Sequence, residues 1–288
     1  MKAVGTATHR LLRDGARMPR VLYGTAWKKD KTASWVMRAL DAGFAGIDTA
    51  CQPKHYDEAG VGAGIAACVG VREAAVTSSD SLYLQTKFTP LSGQDPARIP
   101  YDAAAPLEQQ VMQSFAVSQR NLGRKHIDAL LLHSPLRDRA GQRVVWGAME
   151  TFVDSGRVGL IGISNCYDLA ELQRLCREAR IKPSIVQNRF YAETGYDKAI
   201  RAFCRENGMV YQSFWTLSAN PNLLRDAAVL GLAAAYARTP AQILFRYLVQ
   251  RDVVPLTGTT SALHLRESLD VLAFELDEPD AAAIDTLL

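Results

Sequence analysis

Along the chain, short apolar runs of β type alternate with longer segments whose apolar residues recur at helical spacing. Residues 21–23 precede a helical segment over 33–42, where Val36, Ala39 and Leu40 share a face and Gly43 supplies a stop. The same alternation pairs 46–48 with 58–69, and 82–87 with 106–122, where Pro106 suits the first helical position. It continues with 127–132 before 146–155, 160–164 before 169–179, and 185–188 before 196–207. Residues 209–214 precede helical stretches over 226–236 and 241–250; 253–256 precede one over 263–269 and a closing helix from Pro279. The runs 129–132 and 160–163 are continuously apolar, as strands buried on both faces of a parallel sheet require.

Eight strand–helix units in 288 residues predict the α/β class, as a (β/α)₈ TIM barrel with a short N-terminal hairpin turning at Asp14-Gly15. The rival, a doubly wound sheet, carries a G-x-G-x-x-G turn after its first strand; this chain reads YGTAWKKD there. No repeat, low-complexity tract or linker divides the sequence, so one domain over 1–288 is expected. The Pro/Ala-rich stretch 92–105 is expected as a loop on the catalytic face, and 71–81 on the opposite side.

Composition narrows the function classes. A net charge of +3 with scattered Lys and Arg predicts neither nucleic-acid nor membrane binding. Five cysteines without a CxxC pair argue against a disulfide framework and a zinc knuckle, and point to a reducing compartment. The N-terminal stretch lacks the apolar core of a signal peptide, and no apolar run is long enough to span a bilayer. A cytoplasmic monomer is expected.

Barrel active sites gather where strands end, so the polar residue that stops each apolar run is informative. Those residues are Asp48, Lys87, His133, Ser164-Asn165 and Gln187-Asn188, with Tyr56 in the loop after Asp48. Each alone can simply mark a strand leaving the core; together they suit carbonyl reduction. That reaction needs a hydride on carbon and a proton on oxygen. A tyrosine, with an ordinary pKa of about 10, becomes a better acid beside a lysine cation. A carboxylate keeps the lysine charged and aimed, and a neutral histidine can hold the substrate oxygen.

The segments GFAGIDTA, YDEAGVGAGI, LYLQTKF, IDALLLHSP, GRVGLIGISN, IVQNRFY and VVPLTGTTS, in this order, resemble the aldo-keto reductase family from about Val21 to Leu269. The resemblance implies a barrel that binds NADPH, with NADH possible, and reduces an aldehyde or ketone of small size. It implies Asp48, Tyr56, Lys87 and His133 as catalytic residues, with Tyr56 the proton donor. Ser164, Asn165 and Gln187 would hold the nicotinamide carboxamide and Phe214 would stack on its ring. Gly24, Thr25, Asp48, Trp215, Leu217, Thr257, Gly258, Thr259, His264, Glu267 and Ser268 would complete the cofactor site. Alternatives stay open: Phe214 as core, Gln187 and Asn188 as strand caps, Ser164 as a helix N-cap.

Three departures stand out. The family's Asp-x-Ala-x-x-Tyr spacing is lengthened by three residues, in a loop with Pro53, Lys54 and His55 in which His55 is expected to be solvated. At the adenosine end, Leu256 and His264 stand where the family has lysine and arginine, with Arg266 as a possible substitute. A 2′-phosphate would thereby lose two contacts worth about 1.5–3 kcal/mol each. The sequence stops at Leu288, soon after the final helix and without the family's long C-terminal tail, so a wider pocket is expected, with Trp27 and Phe88 preferred over Trp146 and Trp215 as apolar lining; His133 is also expected to touch substrate. Two competing functions remain: a catalytically weak nicotinamide-binding barrel with a regulatory role, and a metal-dependent barrel hydrolase, opposed by a single strand-end histidine.

Overall fold

The computed structural model describes residues 8–11, 15, 17–71 and 82–288. Eight parallel strands close into a barrel: β3 (Leu22–Gly24), β4 (Gly46–Asp48), β5 (Tyr83–Phe88), β6 (Ile127–Leu132), β7 (Val158–Ser164), β8 (Ile185–Arg189), β9 (Val210–Phe214) and β10 (Val253–Thr257). They follow one another in chain order, and β10 pairs with β3 to close the ring. Before them, β1 (His9–Leu11) and β2 (Arg17–Pro19) form the antiparallel hairpin, with His9 opposite Pro19. Asp14 of its expected turn lies outside the described residues, as do 72–81 of the segment assigned to the far side.

The hairpin has a structural task. Met18 is fully buried and packs with Leu22, Ala129, Leu131, Leu160, Ile185, Val210 and Val254, the inward-facing side chains of the strands. A second, larger cluster fills the layer between strands and helices. This division follows from the twofold side-chain alternation of a strand, one face to the barrel interior and the other to the helices.

The helical layer comprises α1 (Thr32–Ala42), α2 (Glu58–Val71), α3 (Leu107–Leu122), α4 (Arg139–Asp154), α5 (Leu169–Glu178) and α6 (Lys198–Asn207). Between β9 and β10 come α7 (Pro221–Leu224), α8 (Ala227–Ala235) and α9 (Pro240–Gln250); α10 (Ala262–Asp270) and α11 (Glu278–Asp285) end the chain. Gly43 closes α1 in the left-handed conformation (φ +108°) that favours glycine. Several boundaries differ from expectation, two of them at helix starts that mark caps. Pro106 sits one position before α3, with extended backbone, and α4 begins at Arg139, where Asp138 accepts from the amides of Ala140 and Gly141. Helix α2 lies very close to its neighbours: a Cβ on Gly62 would collide with the Asn121 carbonyl oxygen. Among the described residues no single helix is long and apolar enough to cross a membrane.

Candidate active site

The C-terminal ends of the strands surround a cavity of about 950 Å³ lined by Asp48, Tyr56 and His133, with the Lys87 ammonium directly behind them. Asp48 ends β4, Lys87 lies one residue before the end of β5, and His133 follows β6, so the parallel register brings them to one mouth. Tyr56 arrives by a different route. The lengthened loop folds into a compact turn in which the amides of His55 and Tyr56 both donate to the Gln52 carbonyl, at 3.1 and 3.0 Å. Trp27 N–H donates to the His55 carbonyl at 2.7 Å, tying this turn to the loop after β3. Beyond Tyr56, the start of α2 is anchored by buried Glu58, which accepts from Thr86 of β5 (2.6 Å) and from Ser118 (2.8 Å). The extra residues are thus absorbed in this turn, with His55 at the cavity's edge, and Tyr56 faces both Lys87 and His133.

Lys87 is 1% exposed, and its ammonium donates to both Asp48 carboxylate oxygens at 2.7 Å and to the Thr49 carbonyl at 2.9 Å. All three N–H groups are thereby used. The cation therefore acts on Tyr56 through its field, with Nζ 5.4 Å from the phenol ring centroid. Burial pulls the lysine's pKa down, and the Asp48 carboxylate works against that pull. Asp48 Oδ1 also accepts from Gln85 (2.7 Å) and Gln187 (2.9 Å), and these two amides meet again at Gln212 Oε1, both at 2.9 Å. A hydrogen-bonded amide layer therefore forms the floor of the site, with the Gln187 amide oxygen left open.

Tyr56 packs edge-on against His133, with ring centroids 5.9 Å apart. Burial, and secondarily the Asp48 carboxylate, push its pKa well above the ordinary value, so it is held as the neutral phenol. His133 is pushed down to about 3, first by burial, then by the Lys87 and His55 charges, so its ring is neutral. Its Nδ1 lies 2.6 Å from Thr89 Oγ1. With Thr89 donating there, Nε2 carries the proton and is free to donate to a ligand.

Of the other expected residues, Gly24, Trp27, Ser164, Asn165, Gln187, Phe214, Trp215, Leu217, Thr257, Gly258, Thr259, His264, Glu267 and Ser268 line the same cavity. Several expectations are corrected. Phe88 is 1% exposed and packs against Tyr101 in the outer layer, because the residue after inward-facing Lys87 must point outward. Trp146 is likewise core, donating to the Ile181 carbonyl at 3.0 Å. Thr25 is fully buried, with its hydroxyl on the Asp48 carbonyl at 2.9 Å. Arg266 is exposed and does not line the cavity. His55 is not free in solvent: its ring stacks on Trp27, centroids 3.8 Å apart, and its Nδ1 is buried without a partner. Ser164 is not the N-cap of α5, a position held by Asp168; its hydroxyl donates to the Gln187 carbonyl at 2.7 Å.

Sequence reasoning missed Lys28 and Arg189, the two Lys or Arg side chains among the described cavity residues. Lys28 donates to the Gly258 and Ala26 carbonyls, and burial lowers its pKa. For Arg189 a signal existed, since it ends the apolar run of β8; for Lys28, one of several scattered lysines, none did. Three cavity residues without glycine's freedom, Trp27, Asn165 and Trp215, have φ of +65°, +53° and +55°. Left-handed backbone at non-glycine positions clusters at functional sites.

These features agree with the comparisons. The model of the Aldo/keto reductase family matches residues 20–220 and 216–288, and the chain belongs to that family of oxidoreductases. A probable NAD(P)H-dependent D-xylose reductase of Emericella nidulans is 28% identical, over 96% of this chain and 92% of its own length. An NAD/NADP-dependent indole-3-acetaldehyde reductase of Schizosaccharomyces pombe is 28% identical, over 95% and 93%. The solved aldo/keto reductase of Brucella melitensis superposes with a TM-score of 0.80 at 26% identity, over 97% of this chain and 99% of that one.

Proposed function

We propose that this protein is an NAD(P)H-dependent reductase of aldehydes or ketones in which Tyr56 donates the proton to the carbonyl oxygen. The observation that carries this reading is the convergence of Asp48, Tyr56 and His133 on one cavity, with the buried Lys87 ammonium behind them, paired with Asp48 and 5.4 Å from the phenol ring centroid.

The cavity fits the nicotinamide cofactor of the relatives. Its lining runs from Asp48 past part-buried Phe214, whose ring offers a stacking face, to Thr257–Thr259 and the N-terminal end of α10, capped by Ser261. Ser164, Asn165 and Gln187 would hold the carboxamide edge; since Gln187 Nε2 is taken by Asp48 and Gln212, its amide oxygen is what remains for a donor. When bound, the nicotinamide supplies the hydride. His133 Nε2–H orients the substrate oxygen, and Tyr56 delivers its proton while the Lys87 charge stabilises the phenolate left behind. Trp27 and His55 form an aromatic wall for the substrate. A catalytically weak cofactor-binding barrel would follow if the lengthened loop drew Tyr56 away, and the hydrogen bonds that hold the loop oppose it.

Following the 340 nm absorbance of NADPH and of NADH with a nitrobenzaldehyde tests the reading. Aldehyde-dependent cofactor oxidation is expected; cofactor binding without turnover would overturn it in favour of the weak barrel.

A further inference from the structure

Resting on the reductase reading, we propose that Arg189 recognises an anionic group on the substrate, so that the physiological substrates are carbonyl compounds that also carry a carboxylate.

Arg189 ends β8 and lines the cavity. Its guanidinium lies 4.2 Å above the Trp215 ring centroid and 5.1 Å from that of Tyr191. Such stacking fixes the plane of the group and leaves its edge, with the N–H donors, for another partner. Buried Nε has no hydrogen-bond partner, and no ion pair joins Arg189 to a described carboxylate. A buried donor without an acceptor is rare in a folded protein and calls for an explanation. Arg180 and Arg251, by contrast, have acids: Arg180 pairs with Asp154 and Arg251 with Glu278 and Asp285. The planar fork of Arg189 matches a carboxylate.

Its position favours the substrate over the cofactor phosphates. Arg189 N–H donates to the Tyr167 hydroxyl, which donates to Asn165 Oδ1, while Asn165 Nδ2 donates to the His133 carbonyl. This chain of bonds across β8, β7 and β6 sets Arg189 two strands from His133, about 10 Å at ordinary strand spacing. That span suits a small molecule with its carbonyl at Tyr56 and an acid at the other end. The cavity's other cation, Lys28, borders Gly258 on the β3–β10 side, where the phosphates would lie. Trp215, the platform for Arg189, is exposed yet holds a left-handed backbone, the kind of strain that clusters at functional sites.

The test compares 4-carboxybenzaldehyde with its neutral methyl ester in the wild type, Arg189→Met and Arg189→Lys, with NADPH affinity measured by calorimetry. The wild type is expected to prefer the carboxylate, and Arg189→Met to lower the ratio of kcat/KM between the two aldehydes by roughly 10- to 100-fold through KM, the scale of a charge-assisted pair. Arg189→Lys should restore part of the ratio. Equal turnover of both aldehydes by the wild type would overturn the proposal. So would weaker NADPH binding by Arg189→Met with the ratio unchanged, which would assign the residue to the cofactor. Ester turnover reads the reductase and the ratio reads Arg189, so each can fail alone. If neither aldehyde is reduced, calorimetric binding of benzoate to wild type and Arg189→Met still reads the anion site.

Discussion

Replacing Lys87 with methionine removes one charge from a buried pair while keeping most of the side chain's volume. The lost contacts are two bonds of 2.7 Å to the Asp48 carboxylate and one of 2.9 Å to the Thr49 carbonyl. Breaking a buried pair from one side costs about 3–5 kcal/mol, because the remaining charge is stranded. Asp48 keeps its bonds from Gln85 and Gln187 at 2.7 and 2.9 Å, which places the expected loss at the lower end, about 3 kcal/mol. Urea unfolding should show it as a lower midpoint at unchanged slope. Adding Asp48→Asn to the variant should recover at least about 1 kcal/mol, since the uncompensated charge is gone. Activity should fall as well. At 5.4 Å and an effective dielectric constant of about 20, a unit charge stabilises a phenolate by about 3 kcal/mol, a rate factor on the order of 100. A stability loss below about 1 kcal/mol, or a double variant no better than the single, would refute the reasoning.

Further outcomes follow from the same geometry. His133 has a folded pKa of about 3, below its unfolded value of about 6.5. Between these values the unfolded state binds the extra proton, so His133 lowers stability as pH falls, by up to about 2 kcal/mol at pH 5; His133→Gln should flatten the pH 5–7 stability profile by that order. A steeper profile in the variant would contradict the buried neutral ring. Gly62→Ala should destabilise by about 1–3 kcal/mol despite alanine's better helix propensity, because the new methyl meets the Asn121 backbone oxygen; a more stable variant by urea unfolding would mean that α2 and α3 separate freely. Exposed His264 and the carboxylate of Glu267 border the adenosine end of the cavity, where Lys28 is the cation present, so comparison of kcat/KM for the two cofactors should give a modest NADPH preference. A several-hundred-fold preference would contradict it.

Elements with strong physical signatures were legible in the sequence. The strand at Ile127–Leu132 was bounded correctly because its run from Ala129 is continuously apolar, as burial on both faces requires. The first turns of α4 were missed: Arg139, Ala140, Gly141, Gln142 and Arg143 carry little apolar periodicity, and the signal was Asp138 as the cap. At the site, Asp48, Lys87 and His133 were readable because polar residues stop apolar runs. Phe88 misled for a related reason, since proximity to a strand end does not tell which face a residue takes; alternation from Lys87 does. The pairing of His55 with Trp27, and the stacking of Arg189 on Trp215, join residues from different loops and leave no local pattern. The Gln85–Gln187–Gln212 layer is of the same kind, one amide from each of three strands, visible only once the barrel closes.

The central claim is that Tyr56 supplies the proton, and single-turnover hydride transfer in Tyr56→Phe tests it most directly. The ring's packing against His133 survives the substitution, so NADPH affinity and unfolding midpoint should stay close to wild type. The rate of NADPH oxidation by a saturating aldehyde should fall at least about 100-fold, the lower bound for loss of a general acid. A Tyr56→Phe protein that binds NADPH normally and reduces the aldehyde at the wild-type rate would contradict the account.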